Sequence, residues 1–148
     1  MSRTLAVLVV AVGALLAGGC GGGDDRLSEA DFRQQANDIC TDVNGQLEGL
    51  EQPTTPDEVG AFVSDAIPVL ESGLDRLHGL NPPEDMEDDY NRFLAEADKS
   101  VPAARKLQQA AEDQDPDALQ DAVAEGDAAD QRSDDIARDL GLTECASD

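Results

Sequence analysis

Three cysteines, one histidine and a large excess of carboxylates are the side chains of this sequence with the clearest capacity for chemistry. His78 has the chemistry of a general base. It stands at the end of an apolar periodic run, just before Gly79, where a cationic side chain complements a helix C-terminus. Any Ser-His-Asp or Cys-His site would have to use it, and no Gly-x-Ser-x-Gly motif is present. Carboxylates work as an acid/base pair only when their environments differ. Here acids cover every exposed face, so they read as a solvated surface. Asp113-Gln114-Asp115-Pro116-Asp117 opens like a calcium loop, which needs a glycine at position six and a glutamate at twelve. Those positions hold Ala118 and Ala124, and a helix cap explains the run better. The Glu84–Asp89 cluster is a loose divalent-cation candidate, explained more simply as first-turn charge. With one His and three dispersed Cys, no metal site is expected. No catalytic residue and no cofactor is assigned.

Cys20 has a different chemistry. Met1–Thr4 carries one positive charge, and Leu5–Ala17 is apolar, with the proportions of a signal-peptide core. Leu16-Ala17-Gly18-Gly19-Cys20 then resembles the bacterial lipobox, in which the cysteine takes a diacylglyceryl thioether before cleavage. The usual leucine three residues before the cysteine is here Ala17, with Leu16 one place early. The alternative is ordinary cleavage after Gly19, leaving Cys20 free. Lipidation of Cys20 is the expectation. Gly21-Gly22-Gly23 is then a flexible tether, since no strand precedes it to make a phosphate loop. The expected organisation is a signal peptide over 1–19, a lipidated tether over 20–27, and an acidic helical bundle over 28–148. The expected location is the extracytoplasmic face of the cell membrane, held there by the lipid.

The chain carries 33 acidic and 10 basic residues, a formal net charge of −23. All the acids lie beyond the leader. Such a surface repels nucleic acid and anionic headgroups, so no nucleic-acid partner is expected. Aromatics are limited to Phe32, Phe62, Phe93 and Tyr90, so the core must be aliphatic and rich in alanine.

Four segments repeat apolar residues at steps of three and four, the helical spacing. Segment one starts at the N-cap Ser28 and runs Phe32, Ala36, Ile39, Cys40, Val43, Leu47, Leu50, ending at Pro53. Segment two opens with Thr55 as cap and Pro56 in the first turn, and stops at Gly79 before Pro82-Pro83. Segment three begins in the Glu84–Asp89 acids and continues past Leu107. Pro68 and Pro102 lie inside segments two and three and should kink them. The carbonyls they free, at Ser64 and Asp98, would line a pocket if they faced inward; curvature around the core is the simpler outcome. Segment four follows Asp115-Pro116-Asp117. It is the weakest, because Glu125–Asp135 contains no large apolar residue, and a bend near Gly126 is expected. Short connections imply an all-α, antiparallel up-down-up-down four-helix bundle.

Asn37-Asp38-Ile39-Cys40, the Pro82-Pro83 break, the Asp-rich turn and the closing Gly141-Leu142-Thr143-Glu144-Cys145 together resemble small actinobacterial secreted proteins and lipoproteins of unknown function. The likeness covers roughly residues 28 to 146. It implies export and a helical bundle with an N-terminal and a C-terminal cysteine, and no activity. If lipid consumes Cys20, an even pair is left in a compartment where disulfides persist. A Cys40–Cys145 disulfide is therefore expected, with two reduced thiols as the alternative. Segment four should end near the start of segment one, and Cys40 lies about twelve residues, ~18 Å, further along. Either the tail folds back along segment one, or its first turns overhang the bundle. The functional expectation is a non-enzymatic binding or scaffolding lipoprotein with an envelope protein partner. The alternative is a small-ligand or divalent-cation-binding envelope protein.

Overall fold

The computed structural model describes residues 26–55 and 58–146; Cys20 and its flanks lie outside them. The described residues form an all-helical unit. Its helices are α1 (Glu29–Glu48), α2 (Val59–His78), α3 (Glu87–Ala97), α4 (Ser100–Glu112) and α5 (Pro116–Leu140). Short 3-10 turns precede α3 (Glu84–Met86) and close the chain (Thr143–Cys145).

Local chemistry sets most boundaries. The Ser28 hydroxyl accepts the Asp31 N–H at 3.2 Å and caps α1. The Asp115 carboxylate accepts from the N–H groups of Asp117 and Ala118, at 3.1 and 3.0 Å, and Pro116 fills the first position of α5. At the other end of α5, Gly141 takes the left-handed conformation, φ 75°. Leu142 N–H then donates back to Ala137 O at 2.8 Å, and Gly141 N–H to Arg138 O at 3.1 Å. This is a Schellman closure with its apolar residue, Leu142, fully buried.

Three elements depart from the sequence reading. α2 starts at Val59, later than a Thr55 cap implies. Glu58 ties down the turn before it: its carboxylate accepts from Thr54 N–H at 2.7 Å and Thr55 N–H at 3.2 Å. The third segment is two helices, not one kinked helix. Asp98 N–H closes on Leu94 O and Lys99 N–H on Glu96 O, a tighter turn, and α4 begins at Ser100. Pro102 thus falls in the first turn of α4, where its missing N–H leaves no bond unmade. Finally, α5 runs unbroken through Gly126.

The core has two characters. Phe32, Tyr90 and Phe93 form its aromatic part, edge-on at 4.8 Å and stacked at 5.8 Å between ring centroids. Leu77, Met86, Leu94, Leu140 and Leu142 surround them. The Tyr90 hydroxyl donates to Leu77 O at 2.7 Å, and burial pushes its phenol well above the ordinary value. The second part is built mainly from small residues: Val63, Ala66, Ala103, Ala110, Ala122 and Ala129. Alanine at these positions lets α4 approach both α2 and α5.

Cys40 and Cys145 are joined in a disulfide, with Cα atoms 5.0 Å apart. Of the two geometries that allow this bridge, the tail folds back along α1. Arg33 Nε donates to Leu140 O at 2.7 Å and Asn37 Nδ2 to Gly141 O at 3.3 Å. Glu144 N–H donates to Asn37 Oδ1 and Asn44 Nδ2 to Glu144 O, each at 3.0 Å. Arg26 and Leu27, assigned to the tether by sequence, are docked as well. Arg26 bonds Pro82 O at 3.0 Å and Glu87 at 2.7 Å, and Leu27 N–H donates to Asn81 O at 2.9 Å.

Candidate functional site

The tail fills the space between α1 and α5 only as far as Cys145. Beyond it lies a bay of about 240 Å³. Its existence follows from two features of the sequence. The first half of the α1 stripe is buried, from Phe32 to Cys40, while Val43 and Leu47 further along are only half-covered. Opposite them, α5 offers Ser133, too small to fill the gap. Leu70, Leu74 and Leu77 of α2 form one wall, Phe93 and Ala97 of α3 the base, and the disulfide closes one end. Gly73 brings α2 close to α1, since a Cβ there would stand 2.5 Å from Val43 Cγ2.

One side of the bay is polar. Asp130, Ser133 and Asp134 of α5 all border it. Asp134 is buried, with 8% of its surface exposed. Arg138 reaches its carboxylate at 3.7 Å, beyond hydrogen-bond distance. Asp130 lies at the solvent-facing rim. Packing around it, then the charges of Asp134 and Asp127, raises its carboxyl above the ordinary value. The nearby cations are committed elsewhere. Glu96 holds Lys99 at 2.6 Å and Arg132 at 2.7 Å, and those bonds keep its own carboxyl below the usual range.

Two other hollows, of about 300 and 360 Å³, are grooves edged by surface ion pairs, Lys106–Glu125 in one and Arg132–Glu96 in the other. They differ from the bay in offering at most two small core residues, Ala110 and Ala122, in their lining.

The residues singled out by sequence fall as follows. His78 is exposed, with Nε2 2.8 Å from Asp98 Oδ1, joining the end of α2 to the end of α3. Cys40 and Cys145 are bonded to each other, so neither offers a thiolate to a Cys-His site. Ser64 and Asp98, one turn before Pro68 and Pro102, are exposed and line no part of the bay. Asp115 caps α5, and Glu84, Asp85, Glu87, Asp88 and Asp89 lie in the first turns of the 3-10 element and α3. Among the described residues, no three side chains of His, Cys, Asp or Glu converge to hold a metal ion. None of the described helices is long and apolar enough to cross a membrane. Asp130, Ser133 and Asp134 were not singled out as a site; the signal was the run without large apolar residues, whose small side chains border the bay.

A comparison with known protein families, with curated proteins and with solved structures finds no match to this chain.

Proposed function

We propose that this is an exported, non-enzymatic binding protein, anchored by a lipid on Cys20 to the extracytoplasmic face of the cell membrane, and that its ligand site is the bay. The observation that carries the binding function is the bay itself: apolar walls, one polar side and an opening to solvent, the common build of a small-molecule site. It favours a small ligand over a scaffolded envelope protein as the bound species.

The anchor rests on the leader, on the lipobox-like run before Cys20, and on cysteine parity, since the bridge accounts for the other two. Arg26 is docked beside Pro82 and Glu87. Cys20 to Asp25 then extends at most about 20 Å. The pole carrying the Pro82-Pro83 loop would face the membrane, with the bay opening to the side. In this reading α1, α2, the α3–α4 pair and α5 run alternately up and down, in keeping with their short connections.

Two measurements test the proposal. Fractionation of cells expressing wild type and Cys20→Ser should show the variant leaving the membrane for the soluble exported fraction; identical partitioning rejects the anchor. Mass spectrometry of small molecules extracted from purified protein should find a species carried by wild type and lost from Leu74→Trp, which fills the bay. If instead a specific envelope protein co-purifies equally with both, while neither carries a small molecule, the scaffolding reading replaces this one.

A further inference from the structure

We infer that the bay binds a small organic ammonium, a cation carried on an aryl or short alkyl body. This rests on the bay being a ligand site and specifies the class of ligand. Size, lining and charge each constrain the choice.

At about 240 Å³ the bay falls just below the ~300–1,000 Å³ of sites for drug-sized molecules, so the occupant is a single ring or a short chain. Val43, Leu47, Leu70 and Leu74 are half-covered, and Phe93 stands at the base. An apolar body placed against them removes that surface from water. The polar side carries charge of one sign. Asp130 and Asp134 are one turn apart on α5 and both border the bay, with Asp127 a turn before. No Lys or Arg among the described residues ion-pairs with Asp130, and Arg138 approaches Asp134 at 3.7 Å. Lys99 and Arg132, the other cations of this region, are held by Glu96.

An ammonium group seated at Asp130, one turn from the Arg138-paired Asp134 and with Ser133 Oγ as a further acceptor, would give Asp130 the countercharge that no described ion pair supplies. An anionic ligand would meet like charge at the rim. A neutral ligand would leave the repulsion unrelieved. The strongly acidic surface also concentrates cations near the opening.

The test uses the exported Cys20→Ser chain, which needs no detergent that could occupy the bay. Amide chemical shifts are followed during titration with 2-phenylethylammonium, 2-phenylethanol and 3-phenylpropanoate. The ammonium should bind about tenfold more tightly than the alcohol, the scale of a carboxylate–ammonium contact at a partly solvated rim. Its shifts should centre on Val43, Leu74 and Ser133, and the carboxylate should not bind. Asp130→Asn, at a solvent-facing position, should bring the ammonium close to the alcohol, and Leu74→Trp should abolish both. Equal affinity for ammonium and alcohol overturns the cation specificity while leaving the bay as a site. Absence of bay-centred shifts with every probe overturns the bay as well. Ammonium shifts spread over the acidic surface and unchanged by Leu74→Trp overturn the inference as mere charge attraction.

Discussion

Removing the disulfide should weaken the fold chiefly through the unfolded chain. In a Cys20→Ser background, Cys145→Ser deletes a bridge that spans 105 residues. The chain-entropy relation gives roughly 4–5 kcal/mol for a loop of that size. The native state has reason to change little, because other contacts still hold the tail. Leu142 is fully buried, and Arg33, Asn37 and Asn44 each bond a backbone group of residues 140–144. Urea unfolding of both proteins, followed by circular dichroism, measures the effect. With m of ~1–3 kcal/mol/M, the midpoint should fall by roughly 1.3–5 M, or the variant should be unfolded without urea. The slope m should rise, because an unbridged chain exposes more surface on unfolding. Alkylation of the bridged protein without reductant should label neither Cys40 nor Cys145. Two labels, or a midpoint loss below about 0.5 M with unchanged m, would refute the account.

Further outcomes follow from particular contacts. Gly73→Ala should destabilise by about 1–2 kcal/mol, overpacking against Val43 offset in part by better helix propensity, and adding Val43→Ala should restore most of the loss. Gly126→Ala should instead stabilise by about 0.5–1 kcal/mol, because its Cβ would meet only Ala103 Cβ at 3.9 Å; denaturant midpoints of the three variants decide both. Leu142→Ala should cost roughly 2–5 kcal/mol in the same assay, since the side chain is fully buried. The acid limb of stability should depend on Glu96 and Glu58, whose folded carboxyls are depressed by their hydrogen bonds. Their contribution is present above the ordinary carboxylate value, near ~4.3, and lost as pH falls through the folded one. Glu96→Gln should flatten the loss on acidification. Asp130 has the opposite sign: its raised carboxyl penalises the fold above that value and the penalty lifts below it. Asp130→Asn should therefore raise the unfolding midpoint at pH ~7 and leave it nearly unchanged well below pH ~4.

Much of the helical arrangement was legible because the ends of the helices are marked by residues with local mechanisms. Ser28, Asp115-Pro116, Gly79 and Gly141 act through a few neighbouring backbone groups, and sequence spacing contains that information. The bridge was legible for another reason: under the proposed export and lipidation of Cys20, three cysteines leave a single pair before any geometry is known. The break at Asp98–Lys99 was not, since a proline inside an apolar run is compatible with either a kink or a new helix start. Packing of α3 against α5 and of α4 against both α2 and α5 is a tertiary outcome. The continuity of α5 was misjudged because large apolar residues were taken as the measure of a packed helix. Ala122, Ala129 and Ala137 bury α5 by close approach instead. The bay was illegible for a related reason. Val43 and Leu47 continue the periodic stripe of α1 like their buried predecessors, and only the point where the tail stops decides that they remain half-covered.

In the proposed reading, the run Glu125–Asp135 serves both packing and recognition. A helix with small residues on its inner face can lie close to its neighbours, as α5 does beside Ala103 of α4. Where no neighbour comes close, the same small residues leave a void. On α5 the transition falls within two turns, from Gly126 to Ser133, and carboxylates flank it. Placing Asp127, Asp130 and Asp134 on such a helix adds like-charge repulsion that the fold itself does not need. Lys99 and Arg132 stand in the same region, yet both are paired with Glu96. Arg138 partners Asp134, but no ion pair among the described residues involves Asp127 or Asp130, and a fold shaped by stability alone would spread those acids or match them with bases. Local conflict of this kind, beside an apolar hollow, is the pattern expected where binding rather than folding sets the residue choice. The bay differs in this from the rest of the acidic surface, where exposed carboxylates have water around them or edge grooves alongside ion-paired bases.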